Sequence, residues 1–252
     1  MNDDPTDILR SAVRAAKMPF CTTGNVPISQ DNAIKLFFEG PDAGTDAKSI
    51  RFPLSSPDDA NPLLDACKQA SFRRSDEEVI DPSYRQALVL HSSSFAIAPA
   101  SAIDPHILGI LSKIRQTLLG GTGASAADLD ERAKENSVID RRVTARLDKL
   151  NVYRVGDFFK GHVDTPRSTY MFGTLLINLP VAHEGGQLIV RAPLSHYEGS
   201  RYVAQNSDAG LGERDSFTTE WRAEDVLSWI AFFSDCPHEI LPVKSGNRYV
   251  LM

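Results

Sequence analysis

From about Val143 to its end the chain consists of apolar runs of strand length separated by turn residues. They fall at residues 150–155, 173–179, 186–190, 226–233 and 248–251. Short strands at such regular spacing cannot bury an apolar face alone, so they must pack sheet against sheet, as in a sandwich or jelly roll. A chain of 252 residues is an ordinary length for one such domain with a sizeable core. The expected class is therefore mainly β with flanking helices.

The first 140 residues read differently. Asp4-Pro5-Thr6-Asp7 begins a helical pattern with Ile8, Leu9, Val13 and Ala16 near one face, ending near Lys17. Residues 34–38 and 49–52 are two apolar runs around the polar cluster 39–44, which predicts a hairpin. Ser56-Pro57-Asp58-Asp59 predicts a short helix through Leu63 and Leu64, and Asp104-Pro105 a longer one from Ile107 to Leu119. Gly120-Gly121-Thr122-Gly123 follows that helix as a stop. A phosphate cradle would instead follow a strand and carry Lys-Ser/Thr. Residues 126–135 read as an exposed helix or link, and the polar, aperiodic span 192–222 as a lid or binding loop. Residues 1–140 are expected to support a core at 141–252 within one structural unit.

Composition narrows the partners. Lys and Arg total 27 against 33 Asp and Glu, a formal net charge of −6 with no basic stripe, which argues against a nucleic-acid backbone. No apolar run approaches the ~20 residues that span a bilayer. The start Met1-Asn2-Asp3-Asp4 lacks the basic and apolar runs of a signal peptide. Cys21, Cys67 and Cys236 are distant from one another and without CxxC spacing, so they read as reduced thiols. The expectation is a cytoplasmic protein with neither a membrane nor a nucleic-acid partner.

Chemistry concentrates in Gly161-His162-Val163-Asp164-Thr165-Pro166-Arg167. On an extended segment His162 and Asp164, at i and i+2, share a face and offer two ligands to a metal. If a distant strand brings His238 alongside, the set becomes the two-histidine, one-carboxylate triad that leaves coordination positions open. Such a set suits Fe(II), and Zn(II) and Mn(II) nearly as well.

From Tyr153 to Arg248 the chain resembles the Fe(II)/2-oxoglutarate-dependent dioxygenases, in particular the prolyl 4-hydroxylase-like branch and its fungal-type relatives. Tyr153 precedes His162 by nine positions with Gly156 and Phe159 between, and His162-Val163-Asp164 matches the family's HxD. Thr174-Leu175-Leu176-Ile177-Asn178-Leu179 and Glu184-Gly185-Gly186 resemble its next strand pair and turn. His238, Pro242-Val243 and Gly246-Asn247-Arg248 follow in order, the arginine ten positions after the histidine. The resemblance implies a double-stranded β-helix in which His162, Asp164 and His238 hold Fe(II). Arg248 would bind the distal carboxylate of 2-oxoglutarate, with Tyr153 and Thr174 assisting. It implies consumption of O2 and 2-oxoglutarate, release of succinate and CO2, and oxidation of a C–H bond of a small molecule such as an amino acid or specialised metabolite. A prolyl hydroxylase acting on a protein or peptide is the alternative. It also leads one to expect a few residues beyond Met252, where the chain stops.

Arg167, just past the ligands, and His196, in the 192–222 loop, are candidates to meet substrate. His91, His106 and His183 lack partners at ligand spacing; His106 reads as a first-turn helix residue and His183 as a turn residue. Trp221 and Trp229 read as packing residues and Cys236 as a packed thiol. A catalytically silent jelly roll would have no need to retain all of His162, Asp164, His238 and Arg248.

Overall fold

The computed structural model describes residues 19–28, 33–40, 46–74, 77–119, 142–193, 216–218 and 226–252. The expected helix at 4–17, the Gly120–Gly123 stop, the 126–135 segment, His196, Trp221 and most of the 192–222 loop lie outside them. The first strands are β1 (Cys21–Pro27), β2 (Ile34–Phe38), β3 (Lys48–Phe52), β4 (Lys68–Gln69), β5 (Phe72–Arg74), β6 (Glu77–Val79), β7 (Arg85–Gln86), β8 (Leu88–His91) and β9 (Phe95–Ala98). Then come β10 (Lys149–Tyr153), β11 (Phe158–His162), β12 (Gly173–Asn178), β13 (His183–Gly185), β14 (Leu188–Arg191), β15 (Ser216–Thr218) and β16 (Val226–Phe233). The last are β17 (His238–Ile240), β18 (Val243–Gly246) and β19 (Arg248–Leu251). The α-helices are α1 (Asn61–Ala66) and α2 (Ile110–Leu118).

Two antiparallel sheets form the core, ordered β1-β16-β12-β19-β10-β8-β4 and β15-β14-β17-β11-β7. Along the chain, β10, β12, β16 and β19 fall in the first sheet while β11, β14, β15 and β17 fall in the second. A chain that winds between two sheets in this way is a double-stranded β-helix, the jelly roll expected from the strand pattern. Strands from before residue 140 extend both sheets: β1, β4 and β8 in the first, β7 in the second.

The alternation of β10 shows how the layers are filled. Leu150 and Val152 face outward into a cluster with Ile177, Trp229, Tyr249 and Leu251, which Ile110, Ile114 and Leu118 of α2 and Ile34 and Leu36 of β2 cover. Tyr153 belongs to the inner cluster between the sheets, with Leu176, Leu188, Val190, Ile230, Phe232 and Val250.

Most strands expected from the sequence are present, and the 34–38 and 48–52 runs pair as a hairpin. The helix expected from Asp104 starts late, at Ile110. The Asp104 carboxylate accepts the backbone N–H groups of His106 and Ile107, and Gly109 at φ 71° is left-handed, so residues 104–109 form turns instead. His183 is not in a turn but in β13, paired opposite Gly246. No helix among the described residues is long and apolar enough to cross a membrane.

Close approach of β12 and β16 requires glycine at 173. A Cβ there would lie 2.5 Å from the Phe232 carbonyl oxygen, a backbone atom that cannot step aside. Gly173→Ala is therefore expected to destabilise the fold by about 1–3 kcal/mol in urea unfolding, the usual cost of overpacking. A loss below about 0.5 kcal/mol would show that the two strands separate freely.

Candidate metal centre

His162 ends β11 and His238 begins β17, and these strands are neighbours. Phe159 pairs with Ile240 and His162 with His238, so Lys160 and Gly161 together oppose Glu239 alone. This bulge puts the two imidazoles side by side, ring centroids 4.2 Å apart; regular pairing would set His162 against Pro237. Tyr84 reinforces the irregular backbone, its hydroxyl donating to the Gly161 carbonyl at 2.7 Å. Asp164 follows on extended chain. Its Oδ1 lies 3.9 Å from His162 Nε2 and 3.8 Å from His238 Nε2.

The donors are already in the protonation state a metal needs. His162 Nδ1 donates to the Lys160 carbonyl at 2.9 Å and His238 Nδ1 to the Cys236 carbonyl at 3.0 Å. A carbonyl can only accept, so each Nδ1 carries a proton, which in the neutral ring leaves the lone pair on Nε2, facing Asp164. Burial, and then the neighbouring His238, lowers the His162 pKa to about 3, so the close approach to Asp164 is no ion pair at neutral pH. Phe159 stacks on His162 at 3.5 Å between centroids, and Phe232 lies 4.8 Å from His238. Asp164 Oδ2 accepts the Thr174 hydroxyl at 2.5 Å, which leaves Oδ1 for a ligand.

Two donors about 2.1 Å from one ion can be at most about 4.2 Å apart, and 3.8 and 3.9 Å fall within that limit. His162, Asp164 and His238 form the one such cluster found among the described residues. The residues present therefore fit a divalent metal.

Because His162 is neutral when folded down to pH about 3 but titrates near 6.5 unfolded, the unfolded chain binds the extra proton between those values. Its contribution to stability is complete above pH ~6.5 and is lost as pH falls toward 3. His162→Gln should flatten the fall in the metal-free protein's urea stability between pH 6.5 and 4. An unchanged slope would mean that the imidazole is not buried as neutral.

Arg248 lies apart from this cluster and wholly buried. Nε donates to Asn178 Oδ1 at 3.3 Å and Nη1 to the Gly186 carbonyl at 2.7 Å. Gly186 presents that carbonyl at φ 65°, and a Cβ on it would come within 3.3 Å of Arg248 Cδ. The Gly185-Gly186 turn is thus the cradle of the guanidinium. Both acceptors are neutral, and burial brings the Arg248 pKa down to about 10. The Tyr153 ring lies 5.7 Å from the guanidinium.

Thr174 and Tyr153, expected together at the cosubstrate, are separated. Asn178, which holds Arg248, is four residues from Thr174 on β12, about 13 Å along a strand, and Thr174 bonds Asp164. Thr174→Val should therefore weaken metal binding by about 10–100-fold, the usual effect of losing a group that orients a ligand. Unchanged metal affinity would refute this role. Arg167 is exposed and ion-paired with Asp148. Asn178, Tyr84 and Arg85 were not singled out from the sequence; only the Gly185-Gly186 pair marked the cradle.

No protein-family model and no curated protein matches the sequence. Among solved structures, the chain resembles a prolyl-4-hydroxylase of Pseudomonas putida at 19% identity, covering 68% of this chain and 71% of that one, with a TM-score of 0.37. It resembles a 2OG-Fe(II) oxygenase family oxidoreductase from Burkholderia pseudomallei at 15% identity, covering 98% and 78%, with a TM-score of 0.32. It also resembles a Trichoplax adhaerens prolyl hydroxylase, solved with a hypoxia inducible factor peptide fragment, at 12% identity, covering 99% and 92%, with a TM-score of 0.40. At these values the fold rests on the strand order above and the chemistry on the site itself.

Proposed function

We propose that this protein is an Fe(II)- and 2-oxoglutarate-dependent dioxygenase that oxidises a C–H bond of a small molecule, such as an amino acid or specialised metabolite. The observation that carries this reading is the pairing of a two-histidine, one-carboxylate cluster with a wholly buried guanidinium, bonded to Asn178 and Gly186, in the same jelly roll. Three protein ligands leave open positions, which suits a metal that must bind cosubstrate and oxygen. A planar guanidinium offers a fixed fork of donors to a carboxylate.

His162, Asp164 and His238 would hold the iron. With 2-oxoglutarate and O2 bound, the metal supplies oxidative decarboxylation to succinate and CO2 and the oxidising power to cut a C–H bond. Thr174 fixes the free oxygen of Asp164, and the Lys160 and Cys236 carbonyls fix the two rings. Arg248 would take the distal carboxylate of 2-oxoglutarate, with Asn178, Gly186 and the Tyr153 ring setting its direction. Phe159 and Phe232 exclude water from the imidazoles.

The test is anaerobic reconstitution with Fe(II) followed by 2-oxoglutarate. A visible metal-to-ligand charge-transfer band that is absent in Asp164→Ala supports the reading. Tight metal binding without any band would favour a zinc or manganese site, or a silent jelly roll. Succinate release on adding small molecules or proline-containing peptides then separates the two substrate classes.

A further inference from the structure

We infer that the substrate is an anion, a small molecule bearing a carboxylate, and that Lys149 receives it beside the metal centre; this rests on the dioxygenase reading above. On β10, Leu150 and Val152 face the outer core while Tyr153 faces the space between the sheets. Lys149 and Asn151 have the parity of Tyr153, so they line the inner face. Lys149 is half-buried, with its Nζ 3.6 Å from Asp148 Oδ2. Asp148 also takes the guanidinium of Arg167, three residues beyond the ligand Asp164, which ties the start of β10 to the segment that carries the metal-site carboxylate.

Arg85 backs this position from the facing sheet. It is 4% exposed, donates from Nη2 to Asn151 Oδ1 at 2.9 Å, and lies 4.5 Å over the Phe159 ring that stacks on His162. Its Nε is buried without a hydrogen-bond partner among the described residues. Lys149 and Arg167 are thus joined through Asp148, and Arg85 bonds Asn151 two residues along the same face of β10 while covering the ring that stacks on His162. Among the described residues the carboxylate bonded there is Asp148, already shared between Lys149 and Arg167. Half-buried like charges repel and cost solvation, and a bound anion offsets both. Burial, the largest influence on Lys149, holds its pKa below the usual value, because the ammonium has lost part of its hydration.

This position is distinct from that of Arg248. Tyr153 pairs with Arg248 and Leu150 with Leu251, so Lys149 is four residues from the Arg248 level, about 13 Å along the strand. The first sheet therefore carries two cationic positions. Arg248 suits the cosubstrate, and Lys149 suits a second carboxylate on the molecule to be oxidised.

The test loads the full chain with Mn(II) and 2-oxoglutarate, which bind without turnover, and titrates it calorimetrically with L-amino acids and N-acetyl amino acids, each against its carboxamide. Expected is at least one carboxylate that binds at least tenfold more tightly than its amide. That preference should vanish in Lys149→Met and persist in Lys149→Arg, with 2-oxoglutarate affinity within twofold throughout. The proposal is overturned if no carboxylate is preferred over its amide, or if Lys149→Met weakens 2-oxoglutarate and leaves the preference intact. Wild-type protein that takes up neither Mn(II) nor 2-oxoglutarate would overturn the dioxygenase reading itself, an outcome visible before any amino acid is added.

Discussion

Replacing Asp164 by alanine is expected to raise the dissociation constant for Fe(II) or Mn(II) by well over ~100-fold, since losing a mere orienting group already costs about 10–100-fold. Asp164 is the anionic member of the cluster; the other two ligands are neutral imidazoles, each fixed through Nδ1 to a carbonyl. Without it the ion would meet two neutral nitrogens and the nearby Lys149 and Arg85 charges. The metal-free fold should survive, because the change costs one hydrogen bond, that of the Thr174 hydroxyl, or about 1–3 kcal/mol. Asp164→Asn should keep that bond and still lose the metal, separating charge from shape. Competition with a fluorescent chelator reads both variants. If Asp164→Asn binds as tightly as wild type, the cluster does not work as a two-histidine, one-carboxylate site.

Replacing Arg248 by methionine should weaken 2-oxoglutarate by about 30–1,000-fold, corresponding to about 2–4 kcal/mol for losing one partner of a buried, hydrogen-bonded charge pair. Metal affinity should stay within about twofold, because the residues seen to hold Arg248 are Asn178 and Gly186, which are not metal ligands. Stability is the informative control. A buried guanidinium whose pKa has dropped to about 10 is itself costly to the fold, and a methionine of similar length often matches or exceeds it. Leaving the Asn178 and Gly186 oxygens unmatched opposes this by about 1–3 kcal/mol. The expected outcome is a protein within about 2 kcal/mol of wild type that no longer binds cosubstrate. Unchanged 2-oxoglutarate affinity with a large loss of stability would make Arg248 a structural residue.

Short-range pattern carried much of this fold. The strands β10, β12, β16 and β19 were legible because a short apolar run bounded by turn residues is a local signal, and the shared face of His162 and Asp164 follows from local spacing too. The first helical turn read at Asp104 failed for a local reason too: an aspartate that bonds the next N–H groups caps a turn as readily as a helix, and Gly109 then decides. The strand β1 was missed because Thr22, Thr23 and Gly24 have no amphipathic rhythm. Its pairing with β16 depends on Gly24 lying under the Trp229 indole, where a Cβ would be 2.7 Å from the ring.

By itself, then, the sequence determined a mainly β class and the shared face of His162 and Asp164, since both depend on residue identity and near-neighbour spacing, while His238 and Arg248 were marked out by a family resemblance. Tertiary structure decided the rest. The bulge at Lys160 and Gly161 sets His162 against His238, the Thr174 hydroxyl meets Asp164, and Arg85 meets Asn151 across the sandwich. Each of these joins residues far apart in the chain or shifts register by one residue. Alternation along a single strand carries no information about which strand will lie opposite it, or at which register.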